Sequence, residues 1–468
     1  MVKYVLNSNI ALRSWWLVPH AYYVKGIREA AGLKAEEFAF LSACDGQTEL
    51  QTPEEGNALA RKFLEMGMIA PAGPGETATP WSRPRVCDNR YFPAMNWMIT
   101  GRCNYNCLHC FNAVDNAPLA SEFTLEEGER LIEQAAECGI NAFTVTGGEP
   151  MCHRHFFDFV ESIHRHGMFV EELNTNGFYV NQEALDRLKA IGCDPLMKIS
   201  LDGLGHHDWL RNRKGAEADA LRAIRLCVEN GFRVKVQTNV HRWNLEAMLP
   251  TAEYLDSLGV QEMRVIRTTE VPRWNENAKG ATLGLAEYYD AMIDLAAKYA
   301  RGDHQMTLTV WQLLTLWPEA MAYSLTPVAC QQGKYRDSIP VCKGNRGMVA
   351  VAANGNVFPC MQMSGYYEAH GDILGNVKTD GLAPLLRGGR YLSEICTTVG
   401  KLAKANEKCG SCKYFPYCTG GCRAIALTLT GDKLGIDPAK CLFFEQGFYQ
   451  KLCAALEGFT NTTPIDVD

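Results

Sequence analysis

The distribution of the cysteines constrains this chain more than any other feature of its sequence. Nineteen cysteines occur among 468 residues, and most of them fall into two groups. The first group spans 103–110, and the second runs from 330 to 441. A secreted disulfide scaffold would be far shorter than this chain. In a protein of this length, clustered cysteines point to metal binding.

The composition indicates a globular protein with several domains. The chain is 47% hydrophobic and 21% charged, and its length is enough for two or three domains. Its net charge of −7 argues against nucleic acid as the main partner, because phosphate binding needs a basic surface. No apolar run reaches 18 residues, and the N-terminus lacks the apolar core of a signal peptide. We therefore expect no membrane association and a cytoplasmic location.

The order of the predicted elements divides the chain into five segments. Residues 1–75 combine β-rich stretches with helical spacing and predict a small α+β domain, whose last helix starts at Thr52 with Glu55 as capping-box partner. A linker rich in proline and small residues follows over 76–93. The remaining segments are an alternating strand–helix region, a connection and a cysteine-rich domain, over 94–302, 303–341 and 342–468.

The alternating region contains six strand–helix units, which predict a parallel sheet with outer helices. Its strands are predicted at Asn96–Thr100, Ala142–Thr146, Glu171–Asn174, Met197–Leu201, Arg233–Asn239 and Glu262–Arg267. Because there are six units rather than the eight of a closed barrel, we expect a partial (β/α)6 barrel of the α/β class. In such folds the reacting groups lie at the carboxyl ends of the strands.

Cys103, Cys107 and Cys110 follow the first predicted strand directly, so they belong to a loop at that end of the barrel. Three thiolates at this spacing can hold one [4Fe–4S] cluster, which needs four ligands. The fourth iron stays free to chelate another molecule, as in an open catalytic metal site. The alternative is a structural zinc knuckle, although no fourth ligand lies at the usual spacing.

This loop resembles the signature of the radical S-adenosylmethionine (SAM) superfamily, C-x3-C-x2-C with an aromatic residue before the last cysteine. Motifs similar to the family's SAM contacts follow the next strands. With the aromatic residue, the implied SAM contacts are His109, Gly147, Gly148, Glu149, Asn174, Ser200, Asp202 and Arg211. The resemblance implies that Arg211 pairs bidentately with the carboxylate of SAM. It also implies reductive cleavage of SAM to a 5′-deoxyadenosyl radical, with electrons from a donor such as flavodoxin or ferredoxin.

The C-terminal cysteines are similar in spacing to the seven-cysteine pattern of SPASM domains, which hold two auxiliary [4Fe–4S] clusters. The resemblance implies an outer cluster on Cys409, Cys412, Cys418 and Cys441. It implies an inner cluster on Cys342, Cys360 and Cys422. The fourth inner ligand is either Cys330 or absent, and an absent ligand would leave an open iron for a substrate thiolate. Together with the first loop, the chain would carry three clusters.

SPASM enzymes most often modify peptides. Sulfatase-maturing relatives usually carry an aspartate where this chain has Met361, so that activity is not expected. Residues 1–75 resemble a winged-helix peptide-recognition element, to whose sheet edge a leader peptide adds a strand. The resemblances therefore predict a maturase that forms a thioether or carbon–carbon crosslink in a ribosomally made precursor peptide.

Two alternatives remain at this stage. The first is a radical SAM peptide epimerase, which returns a hydrogen atom from a cysteine. The second is a zinc-binding interaction protein with a zinc ribbon formed by Cys409 and Cys412 with Cys418 and Cys422. A zinc ribbon would leave the other C-terminal cysteines unexplained, and iron and sulfide analysis separates it from the radical enzymes.

Overall fold

A computed structural model describes residues 1–110, 120–268, 270–326, 336–342 and 347–465. The chain folds into an N-terminal α+β domain, a parallel sheet covered by helices, and a C-terminal domain of short helices. Cys330 lies outside the described residues, so its predicted role stays a prediction. None of the described helices is long and apolar enough to cross a membrane.

The N-terminal domain contains two small sheets and two helices. Its elements are β1 (Val2–Leu6), β2 (Ile10–Trp15), β3 (Val18–Val24), β4 (Ala31–Gly32), α1 (Ala35–Ala43), β5 (Asp45–Leu50), α2 (Ala58–Glu65), β6 (Ile69–Pro71) and β7 (Arg85–Val86). The sheets have the orders β5-β1-β6 and β4-β3-β2-β7. Strand β7 lies within the predicted linker and pairs in parallel with β2, so this segment also completes a sheet.

The prediction that the second helix starts at Thr52 is wrong. Thr52 and Glu55 do form the predicted reciprocal hydrogen bonds, at 2.8 and 3.3 Å, but they close a separate turn. Gly56 then adopts φ +92°, which a helix cannot continue. Helix α2 begins at Ala58, after the N-cap Asn57, whose side chain accepts a hydrogen bond from the backbone of Ala60.

The central sheet confirms the six predicted strands and extends them. The barrel elements are β8 (Ala94–Met98), α3 (Leu125–Glu137), β9 (Ala142–Thr146), α4 (Phe156–Arg165), β10 (Phe169–Thr175), α5 (Gln182–Ile191), β11 (Leu196–Ser200), α6 (His207–Arg211), α7 (Ala216–Glu229), β12 (Val234–Val240), α8 (Met248–Ser257), β13 (Glu262–Arg267), α9 (Pro272–Asn277) and α10 (Leu285–Ala300). Strands β8 to β13 are parallel neighbours in chain order. The outward side chains of these strands pack against the helices in one large core.

Later segments lengthen this sheet at both edges. They are β14 (Thr307–Val310), β15 (Leu314–Trp317), β16 (Ala322–Leu325), β17 (Met348–Val351), β18 (Val357–Phe358) and β19 (Thr460–Asn461). The full order is β18-β17-β8-β9-β10-β11-β12-β13-β14-β15-β16-β19, which is an open barrel-like sheet. Strand β17 runs parallel to β8, and β14 to β16 come from the predicted connection over 303–341.

The C-terminal domain is built from short helices around the remaining cysteines. They are α11 (Ser364–Ala369), α12 (Leu382–Arg387), α13 (Gly389–Ile395), α14 (Val399–Ala405), α15 (Glu407–Ser411), α16 (Phe415–Cys418), α17 (Arg423–Thr430), α18 (Pro438–Glu445) and α19 (Phe448–Ala455). Helices α18 and α19 pack against α10 of the barrel, and the apolar residues of both regions share one core.

The N-terminal domain is fixed to the barrel at the end of α3. The indole nitrogen of Trp15 donates to the carbonyl of Cys138 at 3.0 Å, and the hydroxyl of Tyr23 donates to the carbonyl of Gly139 at 2.7 Å. The side chain of Asn89 also donates to Cys138, at 3.0 Å. These carbonyls follow the last turn of a helix, where backbone acceptors lack partners within the helix. The domain contact therefore caps α3.

Candidate functional site

The first cysteine group lies at the carboxyl end of β8, as predicted. Cys107 is buried, and Cys103 and Cys110 are half-buried. Burial raises the pKa of Cys103 to about 12, and the neighbouring thiols of Cys107 and Cys110 add to this rise. A hydrogen bond from the backbone of Tyr105 acts in the opposite direction and lowers the pKa. Thiols that burial keeps neutral must lose their protons to bind a metal, so metal loading would release protons.

Hydrogen-bond donors from the chain point at these thiols. The backbone N–H of Tyr105 lies 3.4 Å from Sγ of Cys103, and Nδ2 of Asn176 lies 3.9 Å from the same sulfur. Nη1 of Arg211 lies 3.8 Å from Sγ of Cys107. Donors around a sulfur stabilise its thiolate form, and they tune the potential of a bound cluster. The surroundings of the loop therefore fit iron–sulfur ligation.

The glycines after β9 contact the backbone of the cysteine loop. The N–H of Gly148 donates to the carbonyl of Thr100 at 2.7 Å, and that of Glu149 donates to Arg102 at 2.8 Å. A Cβ atom on Gly148 would lie 2.3 Å from the oxygen of Arg102, and one on Gly147 would lie 2.7 Å from that of Thr100. Glycine is thus needed here to let two loops cross, in addition to the predicted approach of SAM.

Glu149 connects the loops that follow β9 and β10. Its buried carboxylate accepts hydrogen bonds from the hydroxyl of Thr175 at 2.9 Å and from the backbone of Asn176 at 2.7 Å. Burial raises the pKa of this carboxyl to about 7, against the hydrogen bonds that lower it. Glu149 therefore changes charge near neutral pH in the absence of a cationic ligand.

Arg211 is placed differently from the expectation that its fork binds SAM. Its Nε donates to Oδ2 of Asp202 at 2.7 Å, and its Nη2 donates to Oδ1 at 3.1 Å. Burial alone would raise the pKa of Asp202, but Arg211 and His207 hold it well below its usual range. Since the fork is engaged by Asp202, Arg211 directs its remaining nitrogen toward Cys107. The geometry makes it a positioning residue of the cysteine loop.

Two of the predicted SAM contacts carry a buried polar atom that has no hydrogen-bond partner in the described part of the chain. They are Nδ1 of His109 and Oδ1 of Asn174. Buried polar atoms are normally paired, so both are available to a bound molecule. Ser200 lies on β11, whose side chains alternate between the two faces of the sheet. Ser200 shares the face of Lys198, opposite the core residues Met197 and Ile199.

Charged side chains on the face of the sheet that carries Ser200 form ion pairs with one another. Lys198 pairs with Glu172 at 3.2 Å, and Lys235 pairs with Glu262 at 2.7 Å. Lys198 and Lys235 are register partners on neighbouring parallel strands, so the four side chains form one layer. Sequence reasoning did not single out these residues, although each falls on the alternate face of a predicted strand.

The four cysteines predicted for the outer auxiliary cluster surround one pocket. The pocket has an empty volume of about 430 Å³, and Cys409, Cys412, Cys418 and Cys441 all line it. Among the described residues, no three His, Cys, Asp or Glu side chains converge as they would on a single metal ion. Four cysteine thiols are the ligand set that a [4Fe–4S] cluster needs.

The three cysteines predicted for the inner auxiliary cluster are also neighbours. Burial raises the pKa of Cys360 to about 12, and the nearby thiols of Cys422 and Cys342 raise it further. Burial also raises the pKa of Cys422, against hydrogen bonds from the backbone of Ile425 and the side chain of Gln312 that lower it. The structure therefore brings this predicted triad together, while Cys330 lies outside the described residues.

Asp437 links the two auxiliary sites, and sequence reasoning missed it. One carboxylate oxygen accepts a hydrogen bond from the backbone of Cys422 at 2.7 Å. The other accepts from the first turn of α18, at 2.9 Å from Ala439, and α18 carries Cys441. The Asp-Pro pair at 437–438 is a typical helix start and could have indicated the cap. Its contact with Cys422 could not be found from the sequence.

Asn104 and Arg273 were missed at the first site as well. Nδ2 of Asn176 donates to Oδ1 of Asn104 at 2.8 Å, and Nε of Arg273 donates to the carbonyl of Cys107 at 2.9 Å. Asn104 is adjacent to the predicted ligand Cys103, and this position is a weak indication of a role at the site. Arg273 lies far along the chain, and no local pattern marks it.

Two domain families match the regions that hold these sites. Residues 97–255 match the Radical SAM superfamily, and residues 342–413 match an iron–sulfur cluster-binding domain, SPASM. The chain carries a radical SAM domain and a SPASM domain. These domains support binding of SAM and of [4Fe–4S] clusters. The SPASM match includes Cys409 and Cys412, and it ends before Cys418, Cys422 and Cys441.

The similar proteins are named for more than one kind of substrate. An AdoMet-dependent heme synthase of Methanosarcina barkeri is 27% identical over 73% of this radical SAM enzyme and 94% of the relative. A PqqA peptide cyclase of Granulibacter bethesdensis is 24% identical over 74% of this chain and 86% of the relative. The crystal structure of Streptococcus suis SuiB bound to precursor peptide SuiA has a TM-score of 0.64 at 14% identity, and it covers 94% of this chain and 99% of SuiB.

Proposed function

We propose that this radical SAM enzyme is a peptide maturase. It abstracts a hydrogen atom from a ribosomally made precursor peptide and forms a thioether or a carbon–carbon crosslink. Three [4Fe–4S] clusters take part, one at the Cys103 loop and two in the C-terminal domain. A leader segment of the precursor binds the N-terminal domain, and a flavodoxin or ferredoxin supplies electrons.

The observation that carries this proposal is the N-terminal domain. The heme synthase and peptide cyclase relatives align with about three quarters of the chain. The fold of SuiB, which was crystallised with its precursor peptide, covers 94% of it, a share too large to leave out residues 1–90. An additional domain with exposed sheet edges suits the recognition of an extended peptide by strand addition. Such a domain has no evident role in binding a compact tetrapyrrole.

The residues of the first site fit the cofactors of this chemistry. Cys103, Cys107 and Cys110 would hold a cluster with one open iron, and His109 and Asn174 offer free polar atoms to SAM. The bound cofactors supply the reductive cleavage of SAM to methionine and a 5′-deoxyadenosyl radical. The chain's own part is to orient the thiols, to fix the loop through Arg211, and to offer the carboxylate of Glu149 near the predicted amino group of SAM.

The second candidate is a radical SAM enzyme acting on a tetrapyrrole, since heme synthases are among the relatives. The test reconstitutes the enzyme anaerobically with iron, sulfide, SAM and a reductant. The reconstituted enzyme is then incubated with the short peptides encoded beside its gene and, separately, with a tetrapyrrole that bears carboxylate side chains. We expect a product only from a peptide, and a modified tetrapyrrole would contradict the proposal.

The same mass spectra distinguish crosslinking from epimerisation. A crosslink removes two hydrogens, so the peptide loses about two mass units per bond. An epimerised centre keeps the peptide mass in normal water and can take up one deuterium in heavy water. A product of unchanged mass with solvent deuterium at one residue would indicate epimerisation instead of crosslinking.

A further inference from the structure

A second pocket opens between the barrel and the C-terminal domain, and we call it the inter-domain pocket. Its empty volume is about 690 Å³. The barrel side contributes Ile266 at the end of β13 and Trp311 at the turn after β14. The C-terminal domain contributes Gln362 and, from α17, Ile425. The pocket thus begins at the end of the barrel where the SAM motifs lie, and it ends beside the inner cysteines.

The charges of the inter-domain pocket cancel each other. Among its described lining residues, Arg267 and Glu270 alone carry charge, and they form an ion pair at 2.7 Å. The same nitrogen of Arg267 donates to the carbonyl of Leu283 at 2.9 Å. A charged group that entered this pocket would lose its hydration and meet a cation that Glu270 already neutralises, which is costly. The walls therefore favour an uncharged occupant.

Two side-chain amides face this pocket near the inner cysteines. Gln362 stands two residues after Cys360, and the side chain of Gln312 forms a hydrogen bond with Cys422. A glutamine amide both donates and accepts, so it can match the N–H and C=O groups of a peptide backbone. On the barrel side, Trp311 offers an aromatic surface. Apolar walls with a few fixed amides are typical of a site that holds one side chain and its neighbouring backbone.

We propose that the inter-domain pocket binds one uncharged side chain of the precursor peptide, aliphatic or aromatic, and that Gln312 and Gln362 hold the adjoining peptide amides. The inference rests on the proposed peptide chemistry and specifies the substrate residue that is held beside Cys360 and Cys422. A tetrapyrrole with several carboxylates fits less well, because Arg267 is the one cation among the described lining residues and Glu270 already neutralises it.

The test uses the reconstituted enzyme, without turnover, and four capped tripeptides, acetyl-Gly-X-Gly-amide with X as Phe, Leu, Lys or Glu. Binding is measured by saturation-transfer NMR titration. We expect the Phe and Leu probes to bind about tenfold more tightly than the Lys and Glu probes. Thr428 lines the pocket from the exposed side of α17, so Thr428→Trp should fill it and weaken the Phe probe about tenfold.

Two further variants make the result specific. Thr379→Trp places the same bulk at an exposed position outside the pocket and should leave binding unchanged. Ile425→Glu adds a negative charge to the wall, so it should weaken the Phe probe and strengthen the Lys probe, a reversal that misfolding would not produce. Iron content of each variant reports whether the domain is intact.

Equal binding of all four probes, or Phe binding that Thr428→Trp leaves intact, would overturn the inference. So would a porphyrin carboxylate that binds in place of the peptides and is displaced by Thr428→Trp. Because the probes bind without SAM cleavage, this result is independent of the product assay. Failure of peptide maturation and failure of the pocket are therefore distinguishable.

Discussion

Asp202 and Arg211 form a two-bonded ion pair that solvent hardly reaches, with Nε–Oδ2 at 2.7 Å and Nη2–Oδ1 at 3.1 Å. The backbone of Asn239 donates a further hydrogen bond to Asp202 at 2.9 Å. The pair therefore joins the ends of β11 and β12 to the cysteine loop, because Arg211 also reaches Cys107. The geometry of the first site therefore depends on this ion pair.

Asp202→Asn should destabilise the holoenzyme strongly. The variant keeps the size of the side chain but leaves the buried Arg211 guanidinium without the carboxylate that pairs with it, which costs about 3–5 kcal/mol of unfolding free energy. Denaturant unfolding under anaerobic conditions measures the change. The matched control is Asp294→Asn, which removes an exposed pair with Lys298 and should cost at most about 0.5 kcal/mol. Equal losses in the two variants would contradict the role of the buried pair.

The affinity for SAM should fall as the pH drops below about 7. The raised pKa of Glu149 means that its carboxyl gains a proton through this range, so it would lose the attraction that we propose for the ammonium group of SAM. The dissociation constant should rise by up to about tenfold per pH unit, measured by equilibrium dialysis. Glu149→Gln should weaken binding at high pH and flatten the profile. The exposed Glu126→Gln should keep the profile, and a slope retained in Glu149→Gln would assign it to another group.

Tyr23→Phe should weaken the attachment of the N-terminal domain. The variant removes the hydroxyl that caps the carbonyl of Gly139, which costs about 1–3 kcal/mol because a buried acceptor loses its partner. Thermal unfolding of the full chain measures the loss. Tyr22→Phe is the matched control, since the neighbouring side chain points to the other face of β3. The same Tm for both variants would show that the cap is dispensable.

Cys412→Ala and Cys396→Ala should differ in iron content. Cys412 lines the outer auxiliary pocket, whereas Cys396 belongs to neither predicted ligand set. Loss of the outer cluster should remove about four of the roughly twelve irons expected per chain. Iron and sulfide analysis after anaerobic reconstitution checks this result. An unchanged count in Cys412→Ala, or a matching loss in Cys396→Ala, would contradict the ligand assignment.

Strand and helix positions in the barrel were largely predictable. The strands Ala142–Thr146 and Glu262–Arg267 and the helix Gln182–Ile191 match their predictions to the residue. Buried apolar residues follow the strand period in the second of these strands and the helical period in the helix. The predicted helix Leu245–Leu258 differs: α8 begins only at Met248, after a 3-10 turn over Arg242–Ala247. Pro250 has no backbone N–H to donate and so belongs to the first turn of the helix.

The cysteine groups were predictable because ligand spacing is local, whereas the groups that orient them are not. Asp202 and Arg211 were both selected from motifs, but nothing in the sequence indicates that they bind each other. Arg273 and Asp437 reach the cysteine sites from distant segments, and such contacts depend on the packing of the whole fold. Strand β7 was missed because two extended residues in a proline-rich segment carry no periodic signal.

The pairing of β17 with β8 has a consequence for the synthesis of this protein. Strand β8 leads into the Cys103 loop, and one of its edges is satisfied only by β17, about 250 residues later in the chain. While the ribosome makes those residues, the backbone of β8 is an open template on which another nascent chain can pair. Protection of that edge during translation, by a chaperone or by slow elongation, therefore bears on the yield of correctly assembled enzyme.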